Sequence, residues 1–482
     1  MLKQRWYIKL TKMQLNQLRE YNYRKINNKY FVTNKEGDFL YLNNKDFNSL
    51  KTKKYDNGFK SLLEKSNFIT TSKNKFNILL NKKNKYDFVD DGTSLHIIVP
   101  TLRCNMKCVY CQTSSQPPSS KEYDMDINTA TKVVDFIFQT SNNDITIEFQ
   151  GGEPTLNFGI IKHIVRYATK LNIKYRKNLE FLLVTNLNNM DLVKMHYLID
   201  NNVNICTSFD GNKKLHDINR PFYQGNGSTY DNVVYWVKKF NSEYKKRKID
   251  NKVYALITIT KESFKYSKEI IDEYVKLNFG EINIREMTNL GCANKQWETI
   301  GYPIEDFIKF WKKSMDYIIK LNKDKIVIRE RMIGIMLRKI FNIREDFLDL
   351  RSPCGAVIGQ LAYNYNGDIF PCDEARMIGT KHFKLGNVLK NSYNEIIDST
   401  KSREIVSSSI NDNEYCNSCV YQNYCGICPI CNYSECKNMA CNIKQTARCK
   451  IYMAMFDYII ERFILNKNNK KMLDNYIGGR YG

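Results

Sequence analysis

The hydrophobic and polar positions of the chain follow a regular alternation in its middle part. Between residues 94 and 322, short apolar runs typical of buried strands alternate with stretches of helical periodicity. Six such strand–helix pairs in series predict a parallel sheet, and six rather than eight predict an open, partial (β/α)6 barrel of the α/β class. The predicted strands lie at residues 96–99, 145–149, 181–184, 203–206, 254–257 and 282–284, and the predicted helices at about 127–140, 158–171, 189–200, 229–245, 264–278 and 304–321.

The stretches on either side of this alternation have a different character. Residues 1–90 show a strand–turn–strand–helix–helix pattern that fits a small winged-helix-like module, and a β-hairpin followed by helices fits equally well. Residues 323–353 are predicted to form a helical bridge. Residues 354–465 are rich in Cys, Gly and Asn, which indicates a domain held by metal rather than by an apolar core. Residues 466–482 are predicted to be a basic tail.

The net charge of +23 is unevenly spread over the 482 residues. Residues 1–88 hold 20 Lys and Arg against 7 Asp and Glu, so the first module is expected to attract an acidic partner. A nucleic-acid partner is disfavoured, because the charge lies outside the predicted barrel and no RNA- or DNA-reading motif occurs. Without a long apolar run or a secretory signal, the chain is expected to be cytoplasmic and without a membrane span.

The 15 cysteines are clustered, with three in residues 104–111 and eight in residues 416–449. An odd, clustered set in a reducing compartment indicates metal or redox chemistry rather than disulfides. The first cluster, Cys104-x3-Cys108-x2-Cys111, directly follows the first predicted barrel strand. A structural zinc site needs four closed ligands, whereas three thiolates leave one iron of a 4Fe–4S cluster open to a chelating molecule. Zinc with a remote fourth ligand is the alternative.

This loop resembles that of the radical S-adenosylmethionine (SAM) enzymes, including the aromatic residue Tyr110 before the third cysteine. The resemblance implies that the open iron binds SAM, whose reductive cleavage yields a 5′-deoxyadenosyl radical that abstracts hydrogen from a substrate. It further implies that motifs at the following strand ends bind SAM. These are Gly151, Gly152 and Glu153 for the amino group, Asn186 in a turn, Ser208 and Asp210 for the ribose, and Arg220 for the carboxylate.

The second cysteine field is similar to the SPASM extension of radical SAM enzymes, which carries two auxiliary 4Fe–4S clusters. The resemblance implies a four-cysteine set at one cluster, comprising Cys416, Cys419, Cys425 and Cys449, and a three-cysteine set at the other, comprising Cys354, Cys372 and Cys428. The spacing from Cys425 to Cys428 departs from the family pattern by one residue, and the frequent extra cysteine upstream of Cys354 is absent. The sequence therefore does not identify a fourth ligand for the cluster of the three-cysteine set. The unassigned cysteines are Cys206, Cys292, Cys431, Cys436 and Cys441. By spacing alone, structural zinc sites suit this field as well.

Several segments, among them residues 96–104 and 425–433, look like the B-type radical SAM maturase of the His-Xaa-Ser peptide system. This resemblance implies a maturase for a ribosomally made precursor peptide, whose leader docks on residues 1–90. It implies an external electron donor such as flavodoxin or ferredoxin, and a second maturase as partner. Asp373, directly after Cys372, is the candidate catalytic base, by similarity to sulfatase-maturing enzymes.

Three alternatives stand beside this interpretation. The first is a sulfatase-type maturase that forms formylglycine. The second is a nucleic-acid-binding protein with zinc or iron–sulfur sites. The third is an electron-transfer protein, but electron transfer does not require the glycine and carboxylate motifs at successive strand ends.

Overall fold

The structure is a computed structural model that describes residues 16–84, 86–343 and 347–478. Its strands are β1 (Tyr21–Ile26), β2 (Lys29–Asn34), β3 (Phe39–Leu42), β4 (Leu95–Thr101), β5 (Asp144–Gly151), β6 (Asn178–Thr185), β7 (Val203–Ser208), β8 (Tyr254–Ile259), β9 (Glu281–Ile282), β10 (Ile284–Glu286), β11 (Arg329–Glu330), β12 (Gln360–Tyr363), β13 (Asp368–Phe370) and β14 (Gly386–Asn387).

The helices alternate with the strands in the middle of the chain and dominate its C-terminal part. They are α1 (Asn44–Thr52), α2 (Asn57–Lys65), α3 (Lys75–Asn84), α4 (Ile127–Ile137), α5 (Phe158–Tyr175), α6 (Leu192–Asp200), α7 (Lys213–Asn219), α8 (Thr229–Arg247), α9 (Ser267–Lys276), α10 (Gly291–Lys295), α11 (Trp297–Ile300), α12 (Ile304–Lys323), α13 (Arg331–Ile340), α14 (Asp373–Ile378), α15 (Tyr393–Ile397), α16 (Thr400–Ser408), α17 (Glu414–Asn417), α18 (Pro429–Cys436), α19 (Ala447–Ile459) and α20 (Lys470–Gly478). Among the described residues, no helix is long and apolar enough to cross a membrane.

The predicted parallel sheet is confirmed. Six strands lie side by side in the order β10-β8-β7-β6-β5-β4, and every neighbouring pair is parallel. The connecting helices cover the outside of the sheet with apolar faces. In α4, for example, Asp126 caps the first turn while Val133, Val134 and Ile137 are buried. Because all six strands are parallel, the loops after their carboxyl ends gather at one edge.

The C-terminal region extends the same sheet. Strand β12 pairs in parallel with β4, and β13 and β14 continue from it in antiparallel order. This hairpin carries Cys372 at its end and so ties the second cysteine field to the barrel. Short buried strands of this kind show no alternation, which is why the sequence suggested only irregular structure here.

The N-terminal module packs directly on the C-terminal region. Strands β1, β2 and β3 form an antiparallel sheet followed by α1, α2 and α3, and residues 1–15 lie outside the described residues. The Thr33 hydroxyl donates to the Val420 carbonyl at 2.9 Å, and Arg24 forms a two-bond ion pair with Asp457. The module is thus a strand-rich sheet with helices, and its winged-helix character stays a prediction.

The residues predicted to be a bridge and a tail both contain helices. The bridge holds α13, whose Ile333 and Leu337 are fully buried. Residues 466–478, suggested as a basic tail, fold in part into α20. This helix buries Met472 and Tyr476 against the body of the protein. The segment is therefore amphipathic as well as positively charged, and only its charge had been predicted from the sequence.

Candidate active site

The three cysteines of the first cluster line one cleft at the carboxyl end of the sheet. The loop that carries them is braced by Arg103, which forms two hydrogen bonds with the Asp124 carboxylate, at 2.8 and 2.7 Å. The backbone N–H of Cys104 donates to the Gln116 carbonyl at 2.9 Å. Gly151, Gly152, Asn186, Ser208, Tyr110 and Arg220 line the same cleft, so the structure brings most of the predicted SAM-binding residues together.

Each thiol of the triad has polar neighbours. The backbone N–H of Met106 donates to the Cys104 sulfur at 3.4 Å, and Arg220 approaches the Cys108 sulfur to 3.8 Å. Burial raises the pKa of the Cys108 thiol to about 12, and the Arg220 guanidinium opposes that shift. A thiolate at this depth is stable only beside further positive charge, which iron supplies, so the donor set fits an iron–sulfur cluster.

Two glycines permit the close approach of β5 to the cysteine loop. Gly151 has a φ of +135°, and a Cβ there would lie 2.3 Å from the Thr101 carbonyl oxygen. A Cβ on Gly152 would lie 2.2 Å from the carbonyl oxygen of Arg103. A side chain at either position would push the cysteine loop away, which accounts for the glycine pair in physical terms.

Two predicted cofactor-binding carboxylates lie behind the cleft rather than on its wall. Glu153 is fully buried and accepts hydrogen bonds from Thr155, from the Thr185 hydroxyl at 2.7 Å and from the Asn186 backbone at 2.8 Å. Glu153 thus holds the turn that presents Asn186. A motif spacing predicts that a carboxylate is present but not which wall its oxygens face.

Asp210, the second of these carboxylates, binds two side chains of the cleft wall. Its carboxylate accepts a hydrogen bond from the Tyr110 hydroxyl at 2.6 Å and forms an ion pair with Arg220 at 3.2 Å. The Arg220 guanidinium also stacks over the Tyr110 ring, 5.1 Å from its centroid. Asp210 therefore fixes two side chains that line the cleft, one of them a cation beside Cys108.

A third loop, after β10, supports the cysteine loop and was missed by the sequence reasoning. The Gln112 side chain donates to the Thr288 hydroxyl at 2.5 Å, and the Ala293 N–H donates to the Cys111 carbonyl at 3.2 Å. The Cys292 thiol hydrogen-bonds that of Cys111. The only sequence signal was Gly291-Cys292 shortly after a predicted strand.

A second cavity continues from the cleft into the barrel. Its wall shares Gln150, Arg285, Asp373 and Arg448 with the cleft. The charged side chains on it are Glu148, Glu286, Asp349, Asp373, Glu374, Arg285, Arg331 and Arg448. Of these, the sequence had singled out Asp373.

Carboxylates outnumber guanidinium groups on the wall of this cavity, five to three. Arg376 donates two hydrogen bonds to one oxygen of Asp373, at 3.0 and 2.7 Å. Burial raises the pKa of Glu148 to about 7, while Arg285 and Arg331 pull it down. The cavity therefore combines fixed charges with one carboxyl group that titrates near neutral pH.

The four-cysteine set surrounds a single pocket, whose wall also includes Tyr23 and Arg24 of the N-terminal module and Cys428. The three-cysteine set lies deeper, in one apolar cluster that also contains Cys431. The two predicted sets are therefore neighbours, with Cys428 belonging to the apolar cluster and also lining the pocket. Within the described ranges, no group of three or more His, Cys, Asp or Glu side chains is arranged to hold a single metal ion.

The fold is a partial α/β barrel whose clustered thiols fit iron–sulfur sites. Residues 98–274 match the model of the radical SAM superfamily, and residues 354–420 match that of SPASM, an iron–sulfur cluster-binding domain. The chain therefore combines a radical SAM domain with a SPASM domain and is an enzyme of the radical SAM type. Its cofactors are SAM and 4Fe–4S clusters.

Relatives and solved structures resemble most of the chain. The cysteine-type anaerobic sulfatase-maturating enzyme of Clostridium perfringens is 24% identical over 76% of this chain and 96% of its own length. Native anSMEcpe with bound AdoMet has a TM-score of 0.65 at 21% identity, over 78% of this chain and 99% of that one. Streptococcus suis SuiB bound to the precursor peptide SuiA has a TM-score of 0.54 at 15% identity, over 89% of this chain and 98% of that one.

Proposed function

We propose that this enzyme is a peptide maturase that modifies a residue of a ribosomally made precursor peptide. The observation that carries the proposal is the charged cavity leading from the SAM cleft into the barrel, which offers a peptide side chain three guanidinium groups and several carboxylates. Enzymes similar to this chain over most of its length are described as sulfatase-maturating or as bound to a precursor peptide. The His-Xaa-Ser system remains the specific family proposed.

The roles of the chain's own residues follow from the cleft. When bound, the cluster and SAM supply a 5′-deoxyadenosyl radical that abstracts a substrate hydrogen. Cys104, Cys108 and Cys111 hold the cluster, and Gly151, Gly152, Asn186 and Ser208 bind SAM along the strand ends. Arg220, fixed by Asp210 and Tyr110, pairs with the SAM carboxylate.

The auxiliary sites take up electrons or position the substrate. The four-cysteine set and the three-cysteine set each hold one auxiliary cluster, which is supported by the four cysteines around one pocket and the three within one apolar cluster. An external donor such as flavodoxin or ferredoxin delivers the reducing electron, and a second maturase is the further proposed partner. Asp373 lines both the cleft and the cavity, where its carboxylate can accept a proton from the oxidised substrate.

A sulfatase-type reaction, formylglycine formation, is the second candidate. It is favoured by the match to the Clostridium perfringens enzyme and by Asp373 on the cavity wall. Both candidates share the radical chemistry and differ in the substrate residue and in the mass change of the product.

Anaerobic SAM cleavage tests the shared chemistry. With dithionite, the reconstituted enzyme is expected to release 5′-deoxyadenosine, and Cys104→Ala is expected to abolish the release while auxiliary iron stays bound. Cys436→Ala is the matched control, because Cys436 is exposed and lies outside the cleft. Persistent cleavage in Cys104→Ala would overturn the role of the triad.

Co-expression with the short reading frames beside the gene, followed by mass spectrometry, tests the substrate. A mass loss on a small precursor supports the peptide maturase. Conversion of Cys or Ser to formylglycine in a sulfatase fragment, with no change in any small peptide, would favour the second candidate instead.

A further inference from the structure

The thiol of Cys431 lies beside that of Cys428 at the start of α18. Cys428 caps this helix, and its sulfur accepts a hydrogen bond from the Cys431 N–H at 3.4 Å. The two thiols also hydrogen-bond each other. Cys428 is the N-cap residue and Cys431 lies in the first turn, so both sulfurs lie together at the start of α18.

This pair of thiols lies close to Cys354 and Cys372. The exposed fractions of Cys354, Cys372, Cys428 and Cys431 are 4%, 2%, 7% and 6%, and all four belong to one apolar cluster. The thiols of Cys354 and Cys372 lie within electrostatic range of Cys428. Four thiols from three separate segments therefore meet in a closed, water-poor environment.

The other unassigned cysteines lie elsewhere. Cys292 hydrogen-bonds Cys111 of the triad, and Cys206 lines the barrel cavity. Cys436 is exposed at the far end of α18, where its thiol hydrogen-bonds that of Cys441. Among the unassigned cysteines, Cys431 is thus the one that the fold buries with the three-cysteine set.

We propose that Cys431 is the fourth ligand of the auxiliary cluster held by Cys354, Cys372 and Cys428, in place of the upstream cysteine that this chain lacks. Four thiolates occupy every iron of a cubane, so this cluster has no open iron for substrate and acts in electron transfer. Arg448 supports the charge of such a site, because its buried guanidinium lies near Cys428 and Cys431 and also lines the SAM cleft. The inference rests on the SPASM domain and holds whatever the substrate is.

The test uses the full chain in a background that lacks the first cluster. With Cys104, Cys108 and Cys111 all changed to Ala, anaerobic reconstitution is expected to load roughly eight irons, two cubanes' worth. Adding Cys431→Ala is expected to lower this to about four irons or to leave a 3Fe–4S signal in the electron paramagnetic resonance spectrum of the oxidised protein. Adding Cys436→Ala, at the other end of the same helix, is expected to leave about eight irons and an unchanged spectrum.

A conservative variant distinguishes the loss of a ligand from misfolding of the domain. Cys431→Ser keeps the size of the side chain and is expected to retain the cluster with shifted spectral parameters and a changed midpoint potential. The proposal is overturned if Cys431→Ser leaves the spectrum and the potential unchanged, or if Cys431→Ala retains all the iron with the parent spectrum. None of these readouts depends on a peptide substrate, so they can fail independently of the proposed function.

Discussion

At the scale of single residues, the motifs located the cleft but did not reveal how its carboxylates act. Glu153 and Asp210 were predicted to bind SAM, and in the structure Glu153 accepts hydrogen bonds on both oxygens, whereas Asp210 accepts them on Oδ2 alone. Glu148 is the reverse case. In the sequence it is a single polar residue within a predicted strand. In the structure it faces the cavity, because its neighbours Ile147 and Phe149 point into the apolar core on the other face of the sheet. The period of a strand predicts two faces, but only the fold shows that the second face lines a cavity.

We expect Glu148 to impose a pH dependence on product formation. Burial raises its pKa to about 7, so the carboxyl group is protonated below pH 7 and becomes a base as the pH rises through that value. Product formation in the wild type should therefore rise through pH 7. Glu148→Gln should remove that step and hold the ratio of product to 5′-deoxyadenosine at the value that the wild type shows below pH 7, because the amide cannot take up the negative charge beside Asp373.

The measurement is the rate of product formation and of 5′-deoxyadenosine release between pH 5.5 and 8.5. Glu269→Gln, on the outer helix α9, is the control and should keep the wild-type profile. A wild-type rise near pH 7 that survives in Glu148→Gln would contradict the role of this carboxylate.

At the scale of elements, periodicity predicted the barrel well and the C-terminal region poorly. Each predicted strand–helix pair appears, because strands buried on both faces and amphipathic helices carry strong local signals. Strand β12 is only Gln360–Tyr363, and its place is set by pairing with β4, more than 250 residues earlier. Such a contact leaves no local pattern, and the same holds for the loop after β10 that braces Cys111.

Gly291→Ala is expected to disturb the triad through this loop. The residue has a φ of +57°, and a Cβ there would lie 1.9 Å from the Gln112 carbonyl oxygen, so Gln112 and the adjoining Cys111 must move. A shift of about 1 Å in a catalytic constellation costs roughly 10²-fold in rate, and SAM cleavage should fall accordingly. Auxiliary iron should stay bound, because those cysteines lie on other elements.

The matched control is Gly159→Ala on α5, where a Cβ would meet nothing within 4 Å. SAM cleavage and iron content, measured side by side, separate the two variants. Equal rates in both would show that the loop tolerates the displacement and does not position Cys111.

At the scale of the whole molecule, the N-terminal module and the SPASM domain form one continuous surface. Asn22 donates to the carbonyls of Asn417 and Cys419, and the Tyr424 hydroxyl donates to the Gly37 carbonyl. A groove between them is lined by Leu18, Arg19, Glu20, Tyr21, Asn22, Lys35, Lys53, Glu414, Asn417 and Ser418.

Because Tyr23 and Arg24 also reach the four-cysteine pocket, deleting the whole module would expose that site. Point changes in the groove test leader docking more cleanly than a truncation.

We expect Lys53→Glu to weaken binding of the precursor peptide about tenfold while SAM cleavage without substrate is unchanged. If the leader is acidic, as proposed, the positive charge of the module would attract it, and a charge reversal in the groove would replace attraction with repulsion, an effect that salt should diminish. Lys65→Glu is the matched control, since Lys65 is exposed on α2 of the same module but does not line the groove. Fluorescence anisotropy with a labelled precursor at low and high salt measures both variants. Equal weakening by the two substitutions would show that binding depends only on the net charge of the module. If neither substitution weakens binding, the leader does not dock in this groove.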